Sequence, residues 1–293
     1  MEAISYKGRT AIIYKWERGL VCKIPWTSAP KHLEVEFERA ITTEKKILEK
    51  LRGHPGIIEY VATHRDESVL LKLDASYHGP CSIEGMKDGL LLSEANCGDL
   101  QSYIDRENND VHDVLRKKWS LQVAKAVAYV HENGVIHMNL STTNVLLHQT
   151  GLTIDAILAD FGGSRCLDLE LSGNLIPDGP YLDPHLTEFN LPKVDVFSLG
   201  VIIYIIMTGH YPFHERPAPE HEEMYRYGDR VQKLYREGKF PDLSNVPFGD
   251  IIAGCCCERR FETAEEVVVA LEAVDGGIKN HISQESTISV DLP

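Results

Sequence analysis

The chain has 293 residues, 43% of them hydrophobic and 25% charged, with 22 Gly and 14 Pro; it is long enough for about two compact units and too ordinary in composition for wholesale disorder, collagen or coiled coil. Its 30 Lys and Arg against 44 Asp and Glu leave a net charge of −14, which repels phosphate backbones and anionic lipid at long range and argues against nucleic-acid and membrane partners. The opening MEAISYKGRT holds no apolar h-region, and the longest apolar run, Val196 to Met207, falls short of the roughly twenty residues a bilayer needs. An unsecreted protein of the cytoplasm or nucleus is the expectation, with its seven cysteines reduced. Three of these, Cys255, Cys256 and Cys257, are adjacent rather than at zinc-ligand spacing, and read as small apolar helix residues.

In chain order, TAIIYKW and LVCKIP read as two strands joined across Glu17-Arg18-Gly19. Leu33 to Leu51 carries apolar residues at Val35, Phe37, Ile41, Ile47, Leu48 and Leu51 among charges, an amphipathic helix that Gly53-His54-Pro55-Gly56 ends. Short β-type runs follow at Ile57 to Thr63, Val69 to Leu73 and Gly89 to Ser93. Helices are then expected over Leu100 to Asp105, Val111 to Asn133, Val194 to Gly209, Glu220 to Glu237 and Thr263 to Val274. Between them, His137 to Pro192 is loop-rich, with short apolar runs at Val145 to Leu147 and Ile157 to Ala159; such a centre commonly carries catalytic parts. The polar end reads as a flexible tail over 276–293.

Four features are weak singly: Lys23 at a strand end, Glu44 on the amphipathic helix, Asn144 in the spacing H-x-x-x-x-x-x-N from His137, and Asp160-Phe161-Gly162. In this order they form a set that chance rarely assembles. The chain resembles a eukaryotic-type, Ser/Thr-like protein kinase domain, with VCK as the strand lysine, TEKKIL as the helix glutamate, VIHMNLSTTNVLL as the catalytic loop, LADFG as the metal loop and KVDVFSLGVIIYIIMTGHYPF as the helix whose Asp195 anchors that loop. MTGHYPFHE and the segment after it look most similar to small single-domain kinase-like proteins of filamentous fungi.

The resemblance implies an α+β, bilobal kinase-like fold, with a β-rich N-lobe over 1–94 containing one helix and a larger helical C-lobe over 95–275. ATP would sit between them. Lys23 would hold the α- and β-phosphates, oriented by Glu44; Asn144 and Asp160 would offer oxygen ligands to magnesium; the adenine edge would meet backbone near Glu94 and Asn96. His137 would pack as a structural residue under the loop. Whether Asp99 reaches the ribose is open.

Several positions depart from the family pattern. The catalytic aspartate is Asn139, whose amide can orient a hydroxyl but cannot accept its proton near neutral pH. Ser141 stands where Ser/Thr kinases usually carry a lysine, and Met138 where many carry an arginine that grips a phosphorylated activation segment. Gly8 is the one glycine kept of the three in the glycine-rich loop, the others being Tyr6 and Ala11. His185 replaces the glutamate that normally pairs with a late arginine, here Arg259 or Arg260, which puts that pair in doubt. Two readings follow. One is a pseudokinase that binds ATP and magnesium and serves as a signalling or scaffold module for a protein partner. The other is a functioning or weakly active kinase that transfers the γ-phosphate to protein Ser/Thr.

Overall fold

In a computed structural model, the described residues are 3–5, 11–16, 19–26, 30–63, 89–177, 179–215, 218–219 and 221–285. The smaller lobe is one antiparallel sheet of five strands, β1 (Ala3–Ser5), β2 (Ala11–Lys15), β3 (Leu20–Pro25), β4 (Tyr60–Thr63) and β5 (Leu90–Ser93), in the order β1-β2-β3-β5-β4. Strand alternation sorts β3: Cys22 and Ile24 join Trp16 and Leu91 in a small apolar cluster, so Lys23 between them faces the other way. Helix α1 (Lys31–Lys50) crosses that other face. Its stripe of Ile41, Ile47, Leu48 and Leu51 is buried in the main core, and Glu44 lies on the same side, 1% exposed. The expected strand Val69 to Leu73 lies outside the described residues.

The larger lobe carries α2 (Leu100–Glu107), α3 (Asp113–Glu132), α4 (Lys193–Thr208), α5 (His221–Arg236), α6 (Gly249–Cys256) and α7 (Ala264–Glu285). Every residue of α4 from Val194 to Met207 is buried, as a helix apolar all round requires, and no described helix is long and apolar enough to cross a membrane. Helix α4 ends at Gly209, whose φ of 77° suits the left-handed cap. The expected bilobal α+β fold is present.

The loop-rich centre holds more structure than its pattern suggests. Strands β7 (Val145–Thr150) and β8 (Thr153–Leu158) form a hairpin, and β6 (Val135–Ile136), β9 (Arg165–Cys166) and β10 (Leu171–Ser172) form a sheet in the order β10-β9-β6. These strands escaped the pattern because His148 and Gln149 interrupt the apolar run of β7, and two-residue strands have no period. Helix α6 carries two of the three adjacent cysteines, Cys255 and Cys256, in the core. Helix α7 runs past Val274 to Glu285, into the stretch read as a tail, because a helix already nucleated by packing propagates across a poor pair such as Gly276-Gly277.

Two close approaches fix the lobe. A Cβ on Gly173 would lie 2.2 Å from the Gly162 carbonyl oxygen, so the segment after β10 docks backbone to backbone on the turn Phe161–Gly163. A Cβ on Gly200 would lie 2.4 Å from the Cβ of Cys255, which sets the distance between α4 and α6. Gly200→Ala therefore overpacks the core and should lower unfolding free energy by about 1–3 kcal/mol in urea titration; an unchanged midpoint would show that the two helices can part at no cost.

Candidate functional site

The two lobes meet at an ion-paired triad. Lys23 Nζ lies 2.7 Å from Glu44 Oε2 and 2.7 Å from Asp160 Oδ1, so strand β3, helix α1 and the loop after β8 converge on one ammonium. Burial pulls the Lys23 pKa down, but the carboxylates of Asp160 and Glu44 outweigh it and hold the ammonium above its ordinary value. Withdrawal from water raises the Asp160 carboxyl, yet Lys23 beside it keeps it below the usual range. Asp160 adopts a left-handed backbone, φ 63°, that turns the chain into the Phe161–Gly163 turn; Phe161 is wholly buried beside the His137 ring, with centroids 4.8 Å apart. Gly162 packs on α1, since a Cβ there would sit 3.3 Å from Ala40 Cβ.

The loop from His137 to Asn144 is held by Asp195, which sits fully buried in the first turn of α4. Its Oδ2 accepts the His137 N–H at 2.7 Å and the His131 ring Nε2 at 3.0 Å, while Oδ1 accepts the Met138 N–H at 2.9 Å. Those bonds fix Met138 at φ 66°, a conformation that disfavours residues with a side chain. His137 Nε2 is 3.0 Å from the Ala159 carbonyl and its Nδ1 accepts the Asn139 N–H at 3.3 Å, which assigns the proton to Nε2. Burial lowers the His137 pKa, so the ring is neutral in the folded protein around pH 7.

Asn144 Nδ2 donates to the Asn139 carbonyl at 2.7 Å, which leaves its Oδ1 as the oxygen able to act as a ligand. Asp160 Oδ1 is taken by Lys23, and its second oxygen is the matching hard donor. Two such oxygens suit magnesium, which prefers oxygen and takes remaining ligands from water and phosphate; supplied there, it would neutralise charge developing on the transferred phosphoryl group. Asn139 itself is partly exposed. Ser141 Oγ is 2.9 Å from Thr143 Oγ1, and Met138 packs with Ile136, Val194, Leu186 and Phe189 in an apolar cluster. Ser164, one of the few hydroxyls after the metal loop, is buried and donates to the His137 carbonyl at 3.0 Å.

At the connection between lobes, the Glu94 N–H donates to Gly19 O at 2.7 Å, and the Glu94 carboxylate lies 3.4 Å from Lys15 Nζ. The Asn96 side chain brackets the Gln149 backbone, donating to its carbonyl at 3.1 Å and accepting its N–H at 2.8 Å. Both Asp99 oxygens cap α2, accepting the Ser102 N–H at 2.8 Å and its hydroxyl at 2.7 Å, so this carboxylate is already occupied. Gly8 and Tyr6 lie outside the described residues.

The doubt about the late arginine is resolved by a residue the sequence reading did not weigh. Arg259 pairs with Asp183, Nε to Oδ2 at 2.7 Å and Nη2 to Oδ1 at 2.9 Å, and Asp183 is 5% exposed. His185 instead has its ring Nε2 3.2 Å from the Tyr235 carbonyl, and Arg260 pairs with Asp250. The signal was the carboxylate two positions before His185. Likewise, His131 as a partner of Asp195 and the bonds of Thr142 to Gln101 and Tyr181 carried no sequence signal, since they join residues far apart in the chain.

A family model described as Protein kinase domain matches residues 21–268. The Serine/threonine-protein kinase PkaA of Streptomyces coelicolor is 30% identical over 227 residues, covering 74% of this chain and 40% of its own length. The Calcium/calmodulin-dependent protein kinase type IV of Mus musculus is 28% identical over 220 residues, 71% of this chain and 40% of that protein. CBL-interacting protein kinase 22 of Oryza sativa is 26% identical over 206 residues, 66% of this chain and 40% of that protein. The chain therefore spans about 40% of the length of these curated relatives.

Two outcomes follow from the geometry. Arg259→Ala strands the Asp183 charge and should cost about 2–4 kcal/mol, less than a fully buried pair because Arg259 is 30% exposed, while the double change with Asp183→Asn should recover part of it; calorimetry reads both. Second, His137 is lowered by burial, so below about pH 6.5 the unfolded chain takes up a proton that the folded one refuses, and stability falls as pH drops. His54, also lowered by burial, adds to that slope. Denaturant midpoints that stay level from pH 7 to 5 would contradict a neutral buried ring.

Proposed function

The chain belongs to the protein kinase domain family, and from that membership we propose that its cleft binds ATP with magnesium and transfers phosphate at a small fraction of the family's usual rate, leaving a signalling or scaffold role for a protein partner as its main output. The observation that carries this reading is Asn139 in the loop that Asp195 and His137 hold in place. Lys23 and Glu44 would meet the α- and β-phosphates, and Asn144 and Asp160 the metal. The Glu94 carbonyl and Asn96 N–H, neither with a partner among the described residues, would face the adenine edge, and Gly8 the phosphates.

In such a site Asn139 Oδ1 can accept a hydrogen bond from a substrate hydroxyl and aim its oxygen at the γ-phosphorus, but the proton has no carboxylate to receive it. General-base catalysis contributes about 10²- to 10⁴-fold, so a family rate of about 1–100 s⁻¹ falls to about 1 s⁻¹ or well below. Ser141 adds no positive charge. A working Ser/Thr kinase is the competing reading, favoured by the assembled Lys23, Glu44 and Asp160 triad and by the Ser/Thr kinases among the relatives.

Thermal shift with Mg-ATP tests binding: millimolar ligand against a Kd of about 100 μM should raise the melting temperature, and Lys23→Ala should abolish the rise. Phosphotransfer tests the rest. Asn139→Asp should raise transfer to a generic Ser/Thr substrate by about tenfold or more, equivalent to about 1.4 kcal/mol of barrier. A wild-type rate of about 10 s⁻¹ or faster with protein substrate, inside the usual kinase range, would establish the competing reading instead.

A further inference from the structure

Thr142 lies inside the loop between Asn139 and Asn144, fully buried, and two elements reach it. Its N–H donates to the Tyr181 hydroxyl at 3.2 Å, its Oγ1 is 2.8 Å from that same hydroxyl, and Oγ1 donates to Gln101 Oε1 at 2.7 Å. Tyr181, 5% exposed, ends the turn Gly179–Tyr181 that closes the activation segment, and Gln101 is on α2. Thr142 gives its one proton to Gln101 and its N–H to the Tyr181 hydroxyl, whose own proton is shared between Thr142 Oγ1 at 2.8 Å and the Tyr211 hydroxyl at 3.4 Å. Beyond Gln101 the chain continues, Nε2 donating to Asp105 Oδ1 at 3.0 Å, and the same oxygen accepts the Ala218 N–H at 3.2 Å. Bonds aligned in this way strengthen one another. Burial holds the Tyr181 phenol well above its ordinary pKa, so it stays a donor.

We infer that Thr142 and Tyr181 are positioning residues, a clamp by which the activation segment sets the stretch of loop that carries Asn144. The argument is one of spacing. Asp195 holds the loop at His137 and Met138, whereas Asn144, five residues beyond Asn139, is held among the described residues only by its amide bond to the Asn139 carbonyl and by backbone bonds to Ser141 and Ala159. Thr142 is the point between them where the loop is tied to the rest of the lobe. Loss of the Tyr181 hydroxyl would leave the Thr142 N–H buried without a partner, and the loop would shift to hydrate it. Asn144 would shift with it, so the penalty falls on metal-assisted nucleotide binding rather than on nucleotide binding itself, which Lys23 supports from the other lobe. The inference rests on the proposed nucleotide site for its second readout only.

The test compares wild type, Tyr181→Phe, Thr142→Val and the double variant of the full chain. Without ligand, amide hydrogen exchange at Thr142 to Asn144 should be about tenfold faster in Tyr181→Phe, with the core amides of α4 unchanged. Titration with ATP should then show an unchanged Kd without magnesium, and a gain on adding magnesium that is about three- to tenfold smaller than in wild type. The double variant should be no worse than the poorer single, because both residues act through one network. Unaltered exchange at Thr142 to Asn144 would overturn the clamp. Faster exchange with the full magnesium gain would reduce it to a contact of the fold and overturn the positioning role. Absence of any nucleotide binding in wild type would refute the proposed site, and the positioning role with it, while exchange still decides whether the clamp holds the loop.

Discussion

The Asp195 carboxylate is the constraint on which the rest of the site depends. It accepts two consecutive backbone N–H groups and a ring nitrogen from a fully buried position, and in doing so holds Met138 in a conformation that a residue with a side chain avoids. Because it rises from α4, buried from Val194 to Met207, the loop is referenced to the core of the lobe. His137 carries that order onward, bridging Asn139 on one nitrogen and the Ala159 carbonyl on the other, so the loop is tied to the end of the strand that leads to Asp160.

The triad at Lys23 joins that body to the upper lobe. Two carboxylates on one buried ammonium leave a surplus negative charge, which a divalent cation beside Asp160 would neutralise far better than water does. Elsewhere the chain substitutes rather than surrenders: the salt bridge that His185 cannot make is formed by Asp183, and Met138, where many kinases carry an arginine, is held by apolar packing with Leu186 and Phe189. The departures from the family pattern at Met138, Asn139 and Ser141 lie on one loop, whereas the groups that hold that loop's shape, Asp195 and His137, are in place.

Most of the fold was legible because its parts have period or length. The stripe of α1 and the unbroken apolar run of α4 declare themselves; the order of Lys23, Glu44, Asn144 and Asp160 carries a kinase resemblance, and Asp195 comes from that resemblance rather than from spacing. What escaped has a physical reason. The strands β6, β9 and β10 are two residues each and exist through pairing with distant partners, and β7 hides behind His148 and Gln149. Helix α6 is short and its boundary residue Phe248 is an unusual left-handed start, φ 61°. The Asp183 to Arg259 pair spans 76 residues, and the Thr142 contacts span 41 and 39; single-sequence patterns hold no term for such distances.

The contact of Gly173 with Gly162 sets where this segment can be rebuilt. Nothing larger than a hydrogen fits between those two backbones, so an inserted epitope, a fluorophore-bearing cysteine or a grafted recognition peptide placed there would pry the Phe161–Gly163 turn away from α1. A few residues earlier, the reversal from Leu167 to Glu170 projects into solvent and bears Asp168, which pairs with the half-buried Lys50 at the end of α1. Cargo belongs at that reversal: a reporter there would sit on a hairpin braced at its base, close enough to α1 for its signal to follow the helix while the cleft below stays unaltered.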